Sequence, residues 1–169
     1  MNSSLKNFIS RVLLSLCLWG AICFAGVAAI SSPAWALDYN GEILIDKDFS
    51  NRDLTDSNFT RSILRHSDLS HSNLQGVSLF GAHLEDVNLE GADLRYATVG
   101  SALFIRANLT NALLEGAFAF NSKFNGAIID GADFTDVLLR DDQIKLLCSV
   151  AKGTNPVTGR DTRDTLGCR

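Results

Sequence analysis

Histidine and cysteine are scarce in this 169-residue chain, and its lysines and arginines never gather into a basic patch. Four cysteines are present, but Cys17 and Cys23 lie inside an apolar N-terminal run. That leaves Cys148 and Cys168, twenty residues apart with no histidine beside them. Two such thiols make a poor zinc site. The three histidines, His66, His71 and His83, form no ligand set, and no serine, histidine and acid arrangement stands out. A glycine-rich phosphate loop is also missing. These absences argue against an enzyme, against a bound metal or cofactor, and against a nucleic-acid partner. What remains is a 46% hydrophobic chain of formal charge −4, a balance that suits one ordered domain.

The first 36 residues read as a secretory leader. Lys6 and Arg11 give a positive start, an apolar run follows from Val12 to Ile30, and Ala34-Trp35-Ala36 is a small-x-small cleavage signal. Cleavage is expected between Ala36 and Leu37. The alternative is an uncleaved membrane anchor, since the run nearly reaches spanning length. After cleavage no stable membrane span is expected. No twin-arginine pair is present, which favours the general export route. Losing Lys6 and Arg11 takes the formal charge from −4 to −6. In an exported chain, Cys148 and Cys168 read as one structural disulfide.

From Glu42 to Asp141 the chain repeats every five residues without a slip. The column Leu44, Phe49, Leu54, Phe59, Leu64 continues to Leu139 and holds only Leu, Phe, Ile and Val, apart from Ala119. Two residues before each member lies a second column, which holds only Ala, Ser and Val from Ser57 to Val137. A fixed short period marks a solenoid. A helix would scatter every fifth residue around its surface, and a plain strand would alternate them between faces. The pattern is consistent if each unit forms one side of a coil and then turns a corner. Both columns then point inward, one large and one small, because two large columns would overpack a narrow tube. The other three positions face water. His66, His71 and His83 fall on outer positions that do not converge. Asn58-Phe59-Thr60 and Asn108-Leu109-Thr110 match glycosylation acceptors, but the repeat generates such strings by itself.

Ala92-Asp93-Leu94, Ala107-Asn108-Leu109 and Ala132-Asp133-Phe134 are close copies of A(D/N)LXX. On these residues the chain resembles the pentapeptide-repeat proteins. The resemblance implies an all-β solenoid, a right-handed quadrilateral β-helix with four units per coil. Twenty units then give about five coils, a tube roughly 24 Å long. It also places residues twenty apart above one another, so Arg65 should lie over Glu85 and Arg95 over Glu115. Glu42, Lys47 and Arg52 interrupt the small column and mark an irregular first coil.

The chain is expected to divide into a leader (1–36), a β-helix (37–141) and a C-terminal cap (142–169). After Leu139, Ile144, Leu147, Cys148 and Ala151 form one apolar helix stripe, with Asp141 and Asp142 at its start and Lys152-Gly153 at its end. A solenoid's last coil needs a lid, and this short capping α-helix supplies it. Residues 154–167 read as loop. The tail, from Leu147-Cys148 through Gly153-Thr154-Asn155-Pro156-Val157-Thr158-Gly159 to Leu166-Gly167-Cys168, resembles the end of exported thylakoid-lumen members in cyanobacteria and chloroplasts. In that group the two cysteines are bonded to each other, and no molecular activity is firmly attached.

Phe80, Leu103, Ile105, Leu113, Phe118, Phe120 and Leu138 are apolar residues at outward positions. Phe80, Phe118, Phe120 and Leu138 are expected to cluster as a docking surface for an unknown protein partner, unless the tail folds over them. The first functional reading is a non-catalytic binding or scaffold protein of the thylakoid lumen, alternatively the periplasm, and a homodimer is compatible with it. Two alternatives stand. Some cytoplasmic members of the resembled family mimic duplex DNA and engage gyrase, which an exported chain would not meet. A thiol/disulfide redox-responsive protein would use Cys148 and Cys168.

Overall fold

The computed structural model describes residues 37–169. The leader assigned to residues 1–36 lies outside the described residues. Within 37–169, seventeen parallel bridges each join residues twenty apart, from Asp38–Asn58 to Phe118–Leu138. Four five-residue units therefore make one turn of a four-sided tube. Each side contributes a single bridged residue, because the unit is too short for a longer strand before its corner. The backbone bonds follow the same register. From Tyr39 to Leu114 the amide of each central residue donates to the carbonyl nineteen positions on, as in Phe104 to Lys123 and Leu114 to Asp133, both 2.8 Å.

The two inward columns form the core. Its large members from Phe59 to Phe134 are buried, and so are the small residues from Ser57 to Ala132. The buried serines keep their hydroxyls paired: Ser62 donates to the Phe59 carbonyl, and Ser72 to that of Leu69. The corners explain the polar outer positions. Every corner residue from Gly41 to Asp136, except Asp56, has a positive φ. Many side chains at these corners lie across a glycine in the next coil. A Cβ on Gly91 would come 2.5 Å from the His71 ring, and one on Gly116 would come 2.7 Å from Tyr96. There the glycine provides both the left-handed turn and the space.

The Asp or Asn before the central residue has its own task. In most such units its carboxylate or amide oxygen accepts from the amide two residues later, as in Asp48 to Ser50, Asn88 to Glu90 and Asp133 to Thr135. This is the local turn bonding that Asx residues favour. It occupies an amide outside the bonding between coils.

The tube begins one unit before the expected Leu44. Tyr39 stacks on Phe59 with ring centroids 4.9 Å apart and meets Phe49 edge-on at 5.5 Å. Arg52 lies over the Phe49 ring at 5.5 Å. Glu42, Lys47 and Arg52 are all exposed. The irregular first coil is thus an aromatic end plug with charges around it. At the other end α1 (Asp141–Cys148) follows the last side, and α2 (Thr162–Thr165) lies near the C-terminus. α1 stops short of Lys152-Gly153. The Ser149 hydroxyl and amide both bond the Leu146 carbonyl and close the last turn.

Candidate functional site

Two regions depart from the plain tube: the cap and one apolar side.

The cap completes the last coil. Leu147 and Ala151 are buried as the stripe requires, but Ile144 is only half-buried. The residue that sequence reasoning missed is Gln143, 6% exposed. Its Oε1 accepts the Phe124 amide at 3.0 Å. Position 143 is nineteen beyond Phe124, so a side-chain carbonyl stands where the next coil's backbone carbonyl would be. Two further surrogates follow. The Lys152 carbonyl accepts the Gly131 amide at 2.9 Å, and Thr165 Oγ1 accepts the Phe134 amide at 3.1 Å. Asn155, fully buried, donates Nδ2 to the Gly131 and Asn111 carbonyls at 2.8 and 3.2 Å. Its Oδ1 receives the Val157 and Thr158 amides. Unsatisfied backbone groups at a solenoid end are costly, and the cap removes several of them.

Arg160 holds the tail to the tube, donating Nη1 to Glu115, Asp133 and Thr135 at 2.9, 3.2 and 3.1 Å. Burial works against the charged form of Asp133. The Thr135 hydroxyl and amide, the Thr158 hydroxyl and the Arg160 charge outweigh it, and hold this carboxyl below its ordinary 3.8. Cys148 and Cys168 are joined as a disulfide, as the sequence anticipates.

Arg65 reaches Glu85 one coil on at 3.4 Å. Arg95 does not take Glu115 as its ion pair. It forks onto Asp93, two residues back, at 2.6 Å, and Glu115 pairs with Arg160. Among the described residues no group of His, Cys, Asp and Glu could hold a metal ion. His83 faces Glu85, while the His71 ring covers Gly91. Both glycosylation strings are held inside the lattice. The Asn58 amide donates to Asp38, and that of Asn108 to Asn88. A hollow between the last coil and the tail is lined by Asp136, Arg160, Asp161 and Asp164, with Arg160 already engaged.

The apolar side lies elsewhere. Phe80, Phe118, Phe120 and Leu138 are 40%, 44%, 46% and 53% exposed. The Phe118 and Phe120 rings sit 6.5 Å apart, and Leu138 bridges Phe118 in the next coil. Phe118 fills the space above Gly100, where a Cβ would come within 3.3 Å of its ring. Phe80 lies on the same side, two coils below Phe120. The tail does not cover them, since its bonds run to Asn111, Glu115, Gly131, Asp133 and Phe134. Of the other outward apolar residues, Leu103 and Ile105 are half-buried. Leu113 is buried rather than exposed, and Arg160 links its stack neighbour Asp133 to Glu115 beside it. No helix among the described residues is long and apolar enough to cross a membrane.

The family profile described as pentapeptide repeats matches in eight copies over residues 44–79, 72–104 and 102–141. Thylakoid lumenal 15 kDa protein 1 of Arabidopsis thaliana chloroplasts is 62% identical over 48 residues, 28% of this chain and 21% of that protein. Thylakoid lumenal protein TL20.3 of the same plant is 56% identical over 43 residues, 25% of this chain and 15% of that one. The chain therefore spans only about a fifth or less of these curated relatives. A solved pentapeptide repeat protein from the Arabidopsis thylakoid lumen is 46% identical, with 77% of this chain and 90% of that chain covered and a TM-score of 0.46. One from Nostoc is 30% identical, with 61% and 84% covered and a TM-score of 0.52. The profile match, the Nostoc structure and the twenty-residue register agree, and the chain belongs to the pentapeptide-repeat family of right-handed, four-sided β-helices.

Proposed function

We propose that this protein is a non-catalytic binding rod of the thylakoid lumen, about five coils long, to which a partner protein docks through the side bearing Phe80, Phe118, Phe120 and Leu138. The carrying observation is the exposed trio Phe118, Phe120 and Leu138 on a tube whose other outer positions are mostly polar. A contiguous apolar patch of this kind marks an interaction site more often than scattered single residues do. The lumenal relatives support the compartment. Within the described residues Leu37, the first residue after the proposed cleavage point, already belongs to the tube, its carbonyl accepting the Asn58 amide at 3.0 Å.

Several acids on the outer positions are matched by arginines. Arg106 meets Asp86, Arg95 meets Asp93, and Arg160 meets Glu115 and Asp133. That pairing favours a protein-binding rod over a duplex-like acidic mimic. The test is to compare proteins retained from thylakoid lumen by the wild type and by a Phe118→Ser/Phe120→Ser double variant. Both positions are outward, so the variant should fold normally. A partner held by the wild type and lost by the variant is the expected result. Identical retention would overturn the docking assignment.

A further inference from the structure

We propose that the Cys148–Cys168 bond is a redox latch on residues 161–169 alone, and that a dithiol reductant releases this segment while the rest of the cap stays seated. The cap is held in three parts, and they are unequal. α1 is fixed by buried Leu147 and by the Gln143–Phe124 bond. Residues 152–160 are fixed by the Lys152 carbonyl, by buried Asn155 and by three Arg160 contacts.

The last part has little of its own. Its one buried large apolar residue is Leu166, and its bond to the tube is Thr165 Oγ1 to the Phe134 amide. α2 has four residues, too few to persist without packing. Most of its other bonds are internal, including Leu166 to Thr162 and Cys168 to Arg163, and two run to the rest of the cap, from the Thr162 amide to the Gly153 carbonyl and from Arg163 to the Cys148 carbonyl. Thr162 adds an opposing contribution. It is fully buried, and its Oγ1 is without a hydrogen-bond partner among the described residues. Such a hydroxyl regains water when the segment leaves, so the closed state carries a built-in bias toward release. The disulfide offsets that bias by closing a loop of sequence separation 20.

The reaction balances simply. One thiolate of a dithiol attacks the disulfide, its second thiol resolves the mixed disulfide, and the dithiol is oxidised. Two electrons and two protons pass to Cys148 and Cys168, which become free thiols. The released form then presents the end of the tube with the Phe134 amide lacking its acceptor, an edge that the oxidised form hides.

Hydrogen exchange on the oxidised protein, before and after dithiothreitol, tests this. Amides of 162–168 and of Phe134 should exchange on the order of 100-fold faster when reduced, the factor expected for removing such a loop. Amides of α1 and of residues 155–160 should keep their rates, and reoxidation should restore the original pattern. Cys168→Ser should reproduce the reduced pattern without reductant. Thr162→Val, which removes the unpaired hydroxyl, should slow release in the reduced form several-fold. Loosening that spreads through α1, or no change at 162–168, would overturn the latch. A Thr162→Val protein that exchanges as fast as the wild type would overturn the role given to the hydroxyl.

Discussion

Replacing Gln143 with Leu should loosen the end of the tube at one amide. Leu has nearly the volume of Gln, so packing is largely kept. What disappears is the Oε1 acceptor for the buried Phe124 amide, 3.0 Å away. Leaving a buried donor unpaired costs about 1–3 kcal/mol. At about 2 kcal/mol, exchange through local opening should quicken roughly 30-fold. Solenoid contacts pass only between neighbouring coils, so the effect should fade within a coil. Leu64 and Leu69, near the other end, should be unaffected. Exchange resolved to single amides gives the answer. An unchanged Phe124 rate in Gln143→Leu would refute the idea that this side chain replaces a backbone carbonyl.

Leu89→Asp buries an unpaired charge in a middle coil and should abolish the folded tube, whereas Glu90→Asp, on the outside, should be nearly silent by thermal melting. Gly91→Ala meets both a left-handed backbone and the His71 ring. It should lower the melting temperature, and adding His71→Ala should recover only the steric part, as a double-mutant cycle would show. Asp133 has a depressed folded pKa, so its stabilising contribution is complete above its ordinary 3.8 and is lost as pH falls through the lower folded value. Wild type and Asp133→Asn should therefore differ in melting temperature at pH 6 and converge at the acid end of a pH series. Mass spectrometry of the exported protein should give Leu37 as its first residue.

Much of the fold was legible because period five leaves few arrangements that bury both columns. The large and small inner positions and the cap stripe at Leu147 and Ala151 follow from local spacing, whereas the stacking of Arg65 on Glu85 needs the four units per coil that the family resemblance implies. The apolar side was legible too, because Phe118 and Leu138 occupy positions that must face outward. What was hidden depends on where the tail returns. Nothing near Gln143, Thr165 or Asn155 in sequence announces that they will meet Phe124, Phe134 and Gly131. Arg95 lies over Glu115 as the register requires, but its ion pair goes to Asp93, because an acid two residues away, already turned outward by the same unit, is nearer than one in the next coil. Leu113 was misjudged: it holds an outward position yet is buried, on the side where the tail returns and Arg160, 47 residues on, binds Glu115 and Asp133. Tyr39 falls outside the column that starts at Leu44 because the residues before it carry no repeat.

The constant register of the parallel bridges sets a rule for how this gene can change length. Deleting twenty residues from the middle removes one floor and leaves every later residue above its former column. Deleting five would instead turn everything downstream by a quarter. Phe118 and Leu138 would move to a neighbouring wall and leave Phe80 behind, whereas Gln143 and Phe124, nineteen residues apart and both downstream, would turn together and keep their bond. Length change by whole floors should therefore preserve every wall, and change by single units should split Phe80 from the rest of the apolar side first.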